Sequence, residues 1–298
     1  MVQANHQHGA HPDSGRHGDG HHHEVSASEM RQSLLIHDRV FERTHREVAD
    51  WLGIDEARVL DAGCGVGGMA AVFAERAREV VAVDLDADNV RHTAERLGAA
   101  DRHAAIDVHV ADLTALEDLA GSYDLVWCSR VIHHVPDMLE GVRELVRVAR
   151  PGGTVAIREG GFGFRVLPDD IGYGERWFED RLAAAGVGRF ARPRVPEPDS
   201  VPYPFGWAQL LKDAGLIDVQ ARTFGFDALS PLSADEQRWV EHHWGRWLAR
   251  ADWRAILSPE DVDILEALLD PASEHYAFNR TDLHLRAGIT VYTGRRPA

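Results

Sequence analysis

Val59-Leu-Asp-Ala-Gly-Cys-Gly-Val-Gly-Gly68 is the stretch from which the rest of the chain is read. A short apolar run, Arg58 to Ala62, breaks into glycines at 63, 65 and 68 and continues into Met69-Ala-Ala-Val-Phe73. A buried strand, a glycine turn and a helix in that order leave backbone and a helix N-terminus open to a ligand. Gly63, Gly65 and Gly68 satisfy G-x-G-x-x-G, which by itself is shared by several nucleotide-binding folds. Asp61 discriminates among them. A carboxylate aimed into the turn opposes a pyrophosphate and suits a ligand carrying an ammonium and a sulfonium.

Outward from this turn, apolar runs alternate with helical stretches. Glu79 to Asp84 reads as a second strand, Ala87 to Leu97 as a helix, Ile106 to Val110 as a third strand and Tyr123 to Cys128 as a fourth. The helix after Gly68 is expected to run to about Arg78. Asp137, with Glu140 three residues on, reads as a capping box opening the next helix. Thr154 to Ile157, after Pro151-Gly-Gly153, is a fifth strand. This rhythm predicts an α/β fold, a Rossmann-like parallel sheet with helices on both faces.

The motifs taken together resemble the class I S-adenosylmethionine-dependent methyltransferases, near the ubiquinone/menaquinone C-methylase-like group. Besides the glycine turn, the resemblance rests on Asp84 at the end of the second strand and Ala111-Asp-Leu113 after the third. It rests also on Tyr123-Asp-Leu-Val-Trp-Cys-Ser-Arg-Val-Ile-His-His134 and Leu145-Val-Arg-Val-Ala-Arg-Pro-Gly-Gly153. It implies a seven-stranded, mostly parallel sheet with an antiparallel last strand, for which Ile217–Thr223 and Ile289–Thr293 supply strands six and seven. It also implies S-adenosyl-L-methionine as cofactor, outside the carboxyl ends of the strands. Asp61, Gly63 and Gly65 would meet the methionine half, Asp84 the ribose, Leu85 the adenine face, Asp112 and Leu113 the adenine edge, and Ser129 or Arg130 the methionine end. Packing readings stand beside these: Gly67 and Gly68 for close approach of elements, Leu85 as core and Asp112 as a helix cap.

Methyl transfer to oxygen, nitrogen or carbon requires in-line placement of the acceptor, and often removal of its proton. His133 and His134 are the first candidates for the base, with Glu159, Tyr173, His37, His242 and His243 as rivals. His37, Glu159, Tyr173, Trp177 and Trp244 are the expected substrate-pocket residues. Six of eight tryptophans fall at or beyond Trp177. Val240, Trp244, Trp247 and Leu248 share one helical face, which either packs on the sheet or roofs an apolar pocket. The expected acceptor is therefore a small apolar or aromatic metabolite, and no metal is expected.

The expected organisation has a His-rich disordered tail at 1–25, carrying seven of the 18 histidines, and a cap helix at 26–54. The cofactor core follows at 55–160 and an aromatic-rich insert at 161–206. The end of the sheet occupies 207–298, with a helical insert at 226–284. Ser233 with Glu236, and Ser258 before Pro259, read as helix starts in that insert. A net charge of −16, from 48 acidic against 32 basic residues, disfavours nucleic acid. Two cysteines without metal spacing, and no apolar run near the ~18 residues a membrane span requires, point to a cytoplasmic protein. The oligomeric state is open, a homodimer included. The other readings are an NAD(P)-dependent oxidoreductase and a non-catalytic cofactor-binding scaffold.

Overall fold

The computed structural model describes residues 27–99, 103–116, 121–190 and 200–298. The His-rich tail expected at 1–25 lies outside them. In chain order the elements are α1 (Ala27–Val40), α2 (Glu42–Leu52), β1 (Arg58–Ala62), α3 (Gly68–Phe73), β2 (Glu79–Asp84) and α4 (Ala87–Gly98). Then come β3 (Ala105–Val110), β4 (Tyr123–Ser129), α5 (Met138–Val148), β5 (Ala149–Arg165), α6 (Phe178–Phe190) and α7 (Trp207–Asp213). The last are β6 (Ile217–Leu229), α8 (Ala234–Ala249), α9 (Ala251–Arg254), α10 (Pro259–Leu269) and β7 (His284–Arg295).

The seven strands form one sheet in the order β3-β2-β1-β4-β5-β7-β6. β7 runs antiparallel to both of its neighbours, and the remaining pairs, β1–β2, β1–β4, β2–β3 and β4–β5, are parallel. Strand order reverses between β1 and β4, so a crevice opens where the two chain directions diverge. Alternation along the central strands feeds two cores. Val59, Val80, Ala82, Trp127 and Ala156 pack with Val48, Phe73, Trp239 and Leu265 on one face. Leu60, Val81, Val83, Val126, Cys128 and Ile157 pack with Leu145, Leu210 and Leu211 on the other. Because both faces are covered, the inner strands read as unbroken apolar runs.

The helices begin where their capping residues allow. Asp86 accepts the Asp88 amide at 2.8 Å to start α4, and Ser233 with Glu236 makes a reciprocal box at α8. Ser258 caps α10, with Pro259 in its first turn. Asp137 accepts the Leu139 and Glu140 amides at 3.0 and 3.1 Å to open α5. The Glu140 carboxylate pairs with Arg143 instead of returning to the cap, so the expected box is only half built.

Several element boundaries differ from expectation. The N-terminal cap is two helices that part at the buried Phe41, whose ring packs against Phe226 and Trp239. α3 ends at Phe73, five residues short of Arg78; Arg76 beyond it engages Asp50 and Asp55 in an ion-pair cluster. β5 reaches Arg165, β6 reaches Leu229 and β7 starts at His284, so the three strands run on together as an antiparallel arm, one face of which is buried in the core through Phe224, Phe226, Leu285, Ala287 and Ile289. Glycines make that arm fit. A Cβ at Gly288 would stand 2.2 Å from the Phe162 ring, and one at Gly161 would meet the Gly288 carbonyl. Glycine is poor in strands, which hides the extension from a pattern reading. α6 lies within the expected 161–206 insert, and α8 to α10 fill the segment between β6 and β7.

Candidate active site

The glycine turn is tied to the neighbouring strand by its backbone. Gly63 and Cys64 both donate to the Val83 carbonyl, at 2.8 and 2.9 Å, and Gly65 N–H donates to Asp84 Oδ2 at 2.8 Å. Asp84 Oδ1 accepts the Asp86 amide at 2.9 Å and the Asn89 side chain at 3.2 Å. Gly63 has a φ of +81°, and a Cβ there would lie 2.3 Å from Val131 Cγ2. Only glycine lets the turn approach the loop after β4 so closely. Gly68 serves packing, since its Cβ would collide with the Asp38 carboxylate of α1.

Two cavities meet at this turn. The larger, of about 820 Å³, is lined by Asp84, Leu85, Asp112, Leu113 and Thr114, and extends along α5 to Arg147. Leu85 is 72% exposed, so it stands at the rim as a platform and not in the core. Asp112 accepts the Thr114 amide and hydroxyl at 2.8 and 2.7 Å, which hold its carboxyl below the usual range. The smaller cavity, of about 450 Å³, is lined by Leu34, His37, Asp38, His45, Asp61, Gly65, Trp127, Ser129, Arg130, His133 and Arg158, among others. Gly63, Asp84, Val131 and His134 line both.

Asp61 lies at the base of the smaller cavity, 2% exposed, and its Oδ2 has no hydrogen-bond partner. Burial, reinforced by the charges of Asp84 and Asp38, pushes its carboxyl up to about 8, against the stabilising amide of Ala70. A buried carboxylate with an unused oxygen lacks only a cation. The ammonium of S-adenosylmethionine is such a cation, and Asp84 beside an open trough suits a ribose. The residues present therefore fit this cofactor.

Sequence reasoning names His133 and Glu159 separately, and the structure joins them. His133 lies on the short 3₁₀ turn Ile132–His134, and its Nδ1 is 2.9 Å from Glu159 Oε2 in the middle of β5. Glu159 is 3% exposed and its Oε1 has no hydrogen-bond partner. The His134 ring centre lies 4.0 Å from that of His133. His37 also faces this space. It is stacked on Phe41 at 4.4 Å, and burial lowers its pKa well below the ordinary histidine value.

Tyr173, Trp177 and Trp244 line neither cavity. Tyr173 stacks on His275 at 4.0 Å, Trp177 is turned outward at 51% exposure, and Trp244 is buried in the core beside Phe164. His243 hydrogen-bonds the Trp239 carbonyl through Nδ1 at 2.7 Å, and burial lowers it to about 4. The shared face of α8 thus packs inward. Among the wall residues that sequence reasoning does not assign to the site are Asp38, His45, Trp127 and Arg158. Of these only Arg158 left a signal, a charge closing the apolar run of β5 beside Glu159.

His37, Asp38 and His45 bring one ligand atom each within 4.8 Å of one another. Their hydrogen bonds do not suit a cation. Arg158 Nη2 donates to His37 Nε2 at 3.0 Å, and Arg96 engages Asp38 Oδ2 at 2.7 Å.

Residues 60–157 match the family described as a methyltransferase domain. Malonyl-[acyl-carrier protein] O-methyltransferase of Salmonella typhimurium is 40% identical over 100 residues, 34% of this chain and 38% of that protein. Ubiquinone biosynthesis O-methyltransferase of Xanthomonas campestris pv. campestris is 36% identical over 112 residues, 36% of this chain and 45% of the relative. The chain thus spans less than half the length of these relatives, over the cofactor half. A solved structure from Anaeromyxobacter dehalogenans, described as a type II methyltransferase, superposes with a TM-score of 0.54 at 22% identity, over 85% of this chain and 96% of that one. Residues 60–157 are thus similar to a methyltransferase domain, and the chain has the seven-stranded Rossmann-like fold of that solved structure.

Proposed function

We propose that this chain is an S-adenosylmethionine-dependent methyltransferase acting on a small acceptor. The observation that carries the reading is the pair of cavities joined at Gly63, Asp84, Val131 and His134. One has the length and lining for a nucleoside, and the other holds the groups that would serve an acceptor. Bound S-adenosylmethionine supplies a methyl group on a sulfonium, transferred in line to the acceptor while sulfur keeps the bonding electron pair.

The chain's own residues do the rest. Asp84 accepts from the ribose hydroxyls, Leu85 and Leu113 enclose the adenine, and Asp112 takes its amino edge. Asp61 would ionise opposite the ammonium, with Ser129 toward the methionine end. The walls Leu34, Met69, Trp127 and Val131 exclude water and orient the acceptor, a contribution of up to ~7–11 kcal/mol when the geometry is fixed. Glu159, accepting from His133 Nδ1–H, puts the imidazole lone pair on Nε2. His133 then takes the proton of an acceptor hydroxyl as the new bond to carbon forms. His134, on the same turn, is the neighbouring candidate. Oxygen is the acceptor atom in the names of both relatives, and a paired imidazole suits it.

No helix among the described residues is long and apolar enough to cross a membrane, and Cys64 and Cys128 are both free thiols. With the charge of −16, a cytoplasmic enzyme of small metabolites is the reading we adopt. Calorimetric titration with S-adenosylhomocysteine, NAD and NADP tests it, on wild type and Asp84→Ala. Micromolar binding of S-adenosylhomocysteine alone, weakened at least about ten-fold in the variant, is expected. Binding of a nicotinamide cofactor instead refutes it, and silence from all three ligands favours a scaffold.

A further inference from the structure

Arg158 pairs through its backbone with Ser129 and Val291, while its side chain, in a residue only 8% exposed, lies on the smaller cavity. Its hydrogen bonds go to neutral groups: Nη2 to His37 Nε2 at 3.0 Å and Nη1 to Ser129 Oγ at 3.5 Å. Its Nε has no partner. The acids nearest to it are engaged elsewhere, Asp38 by Arg96 and Glu159 by His133. A second guanidinium, that of Arg130, lines the same cavity, and the Arg130 amide donates to the Arg158 carbonyl at 3.0 Å. Burial, and then the charge of Arg130, lower Arg158 to about 10.

A buried guanidinium with no carboxylate in direct contact is expensive even with the charges of Asp38 and Glu159 nearby, and in a chain of net charge −16 it is not explained by a surplus of arginine. The unused Nε–H and the two Nη groups form the planar fork that recognises a carboxylate. Resting on the methyltransferase reading, we infer that the acceptor carries a carboxylate, held by Arg158 on the wall of the smaller cavity with Arg130 beside it.

The cofactor also has a carboxylate, but it shares a carbon with the ammonium assigned to Asp61. Asp61 is on β1 and Arg158 on β5, two strands away and two residues further along, or ~11–12 Å at the backbone. Trp127 stands between them, registered opposite Asp61 on one side and Ala156 on the other. Arg158 is instead the chain neighbour of Glu159, which orients His133. Arg158 and His133 line the same cavity, so a carboxylate on Arg158 places the rest of the molecule beside the base.

The test uses the full chain saturated with S-adenosylhomocysteine and measures the dissociation constants of acetate, hexanoate, benzoate and 4-hydroxybenzoate, each beside its primary amide. At least one acid is expected to bind about ten-fold or more tightly than its amide. Arg158→Gln should abolish that preference, Arg158→Lys should restore part of it, and Arg130→Gln should weaken acid binding about three-fold. S-adenosylhomocysteine should bind Arg158→Gln within about three-fold of wild type. Near-ultraviolet circular dichroism reports whether each variant is folded, and Arg130→Gln and Arg158→Lys carry the test if Arg158→Gln is not. Acids no tighter than amides in wild type, or a preference that survives these substitutions, overturns the inference. A ten-fold loss of S-adenosylhomocysteine affinity in Arg158→Gln gives the carboxylate to the cofactor and overturns it as well. Failure of wild type to bind S-adenosylhomocysteine is a separate result, against the methyltransferase reading itself.

Discussion

Cofactor binding should expel a proton, and Asp61 sets how many and over which pH range. In the free protein its carboxyl titrates at about 8, because it is buried and faces Asp84 and Asp38. At pH 7 it therefore carries ~0.9 of a proton, and at pH 9 ~0.1. An ammonium seated against it favours the ionised form, so binding below pH 8 releases that proton. Apparent affinity for S-adenosylhomocysteine then rises with pH, by about fifty-fold from pH 6 to pH 8, and levels off above. The same shift acts on the empty protein with the opposite consequence. Its folded pKa is raised, so stability is greatest below the unfolded pKa near 4 and falls by up to ~1.4 kcal/mol per pH unit until about pH 8. Titration calorimetry at pH 7 in phosphate and in Tris, whose ionisation enthalpies differ, reads the proton number directly. Asp61→Asn should abolish the release and flatten the affinity profile. A wild type that releases less than ~0.2 proton at pH 7, with affinity level from pH 6 to 8, would refute the argument.

Other perturbations address separate parts of the molecule. His133→Ala should lower turnover at least about 100-fold, and Glu159→Gln about ten-fold with an altered pH–rate profile, while calorimetry finds S-adenosylhomocysteine affinity preserved in both. Gly63→Ala drives a Cβ to 2.3 Å from Val131 Cγ2 at a φ of +81°, and should cost about 1–3 kcal/mol in urea unfolding as well as weaken cofactor binding. Glu179 is buried, and its carboxylate accepts the Val166 and Leu167 amides at 2.9 and 3.0 Å. Burial raises it to about 7 all the same. Its share of stability is therefore present at low pH and declines from about pH 4.5 to about pH 7. Glu179→Gln keeps a carbonyl acceptor and should remove that part of the slope; an unchanged profile would count against the assignment.

How much of this could be read from the residues depends on whether the signal was local. The strands β1, β2 and β4 show because a sheet covered on both faces must be apolar throughout, and the cofactor residues show because each lies at or just past the end of a strand. What does not show is the continuation of β5 past Ile157, of β6 past Thr223 and of β7 before Ile289. Gly160, Gly161 and Gly163 lower strand propensity where β5 continues, and most of β6 is solvent-exposed, so no apolar run marks it. Trp244 illustrates a different limit. Spacing shows that α8 has an apolar face, but not whether that face meets a ligand or a core. Arg158 is the hardest case, since its partner His37 lies 121 residues away and only the fold brings them together.

α1 packs on α8, and Phe41, at the joint behind α1, touches Phe226 and Trp239. These contacts cannot form until nearly two hundred further residues have been made. At typical synthesis rates the first helix waits ~10–40 s on the ribosome, its apolar side uncovered, while the cofactor half folds beneath it. If the cofactor half folds in that interval, the larger cavity is complete before the smaller one has its α1 wall. During that interval Ile36, Val40 and Phe41 are the surface a chaperone would hold, and substitutions that weaken the α1–α8 seam should reduce the yield of folded protein more than the affinity for cofactor.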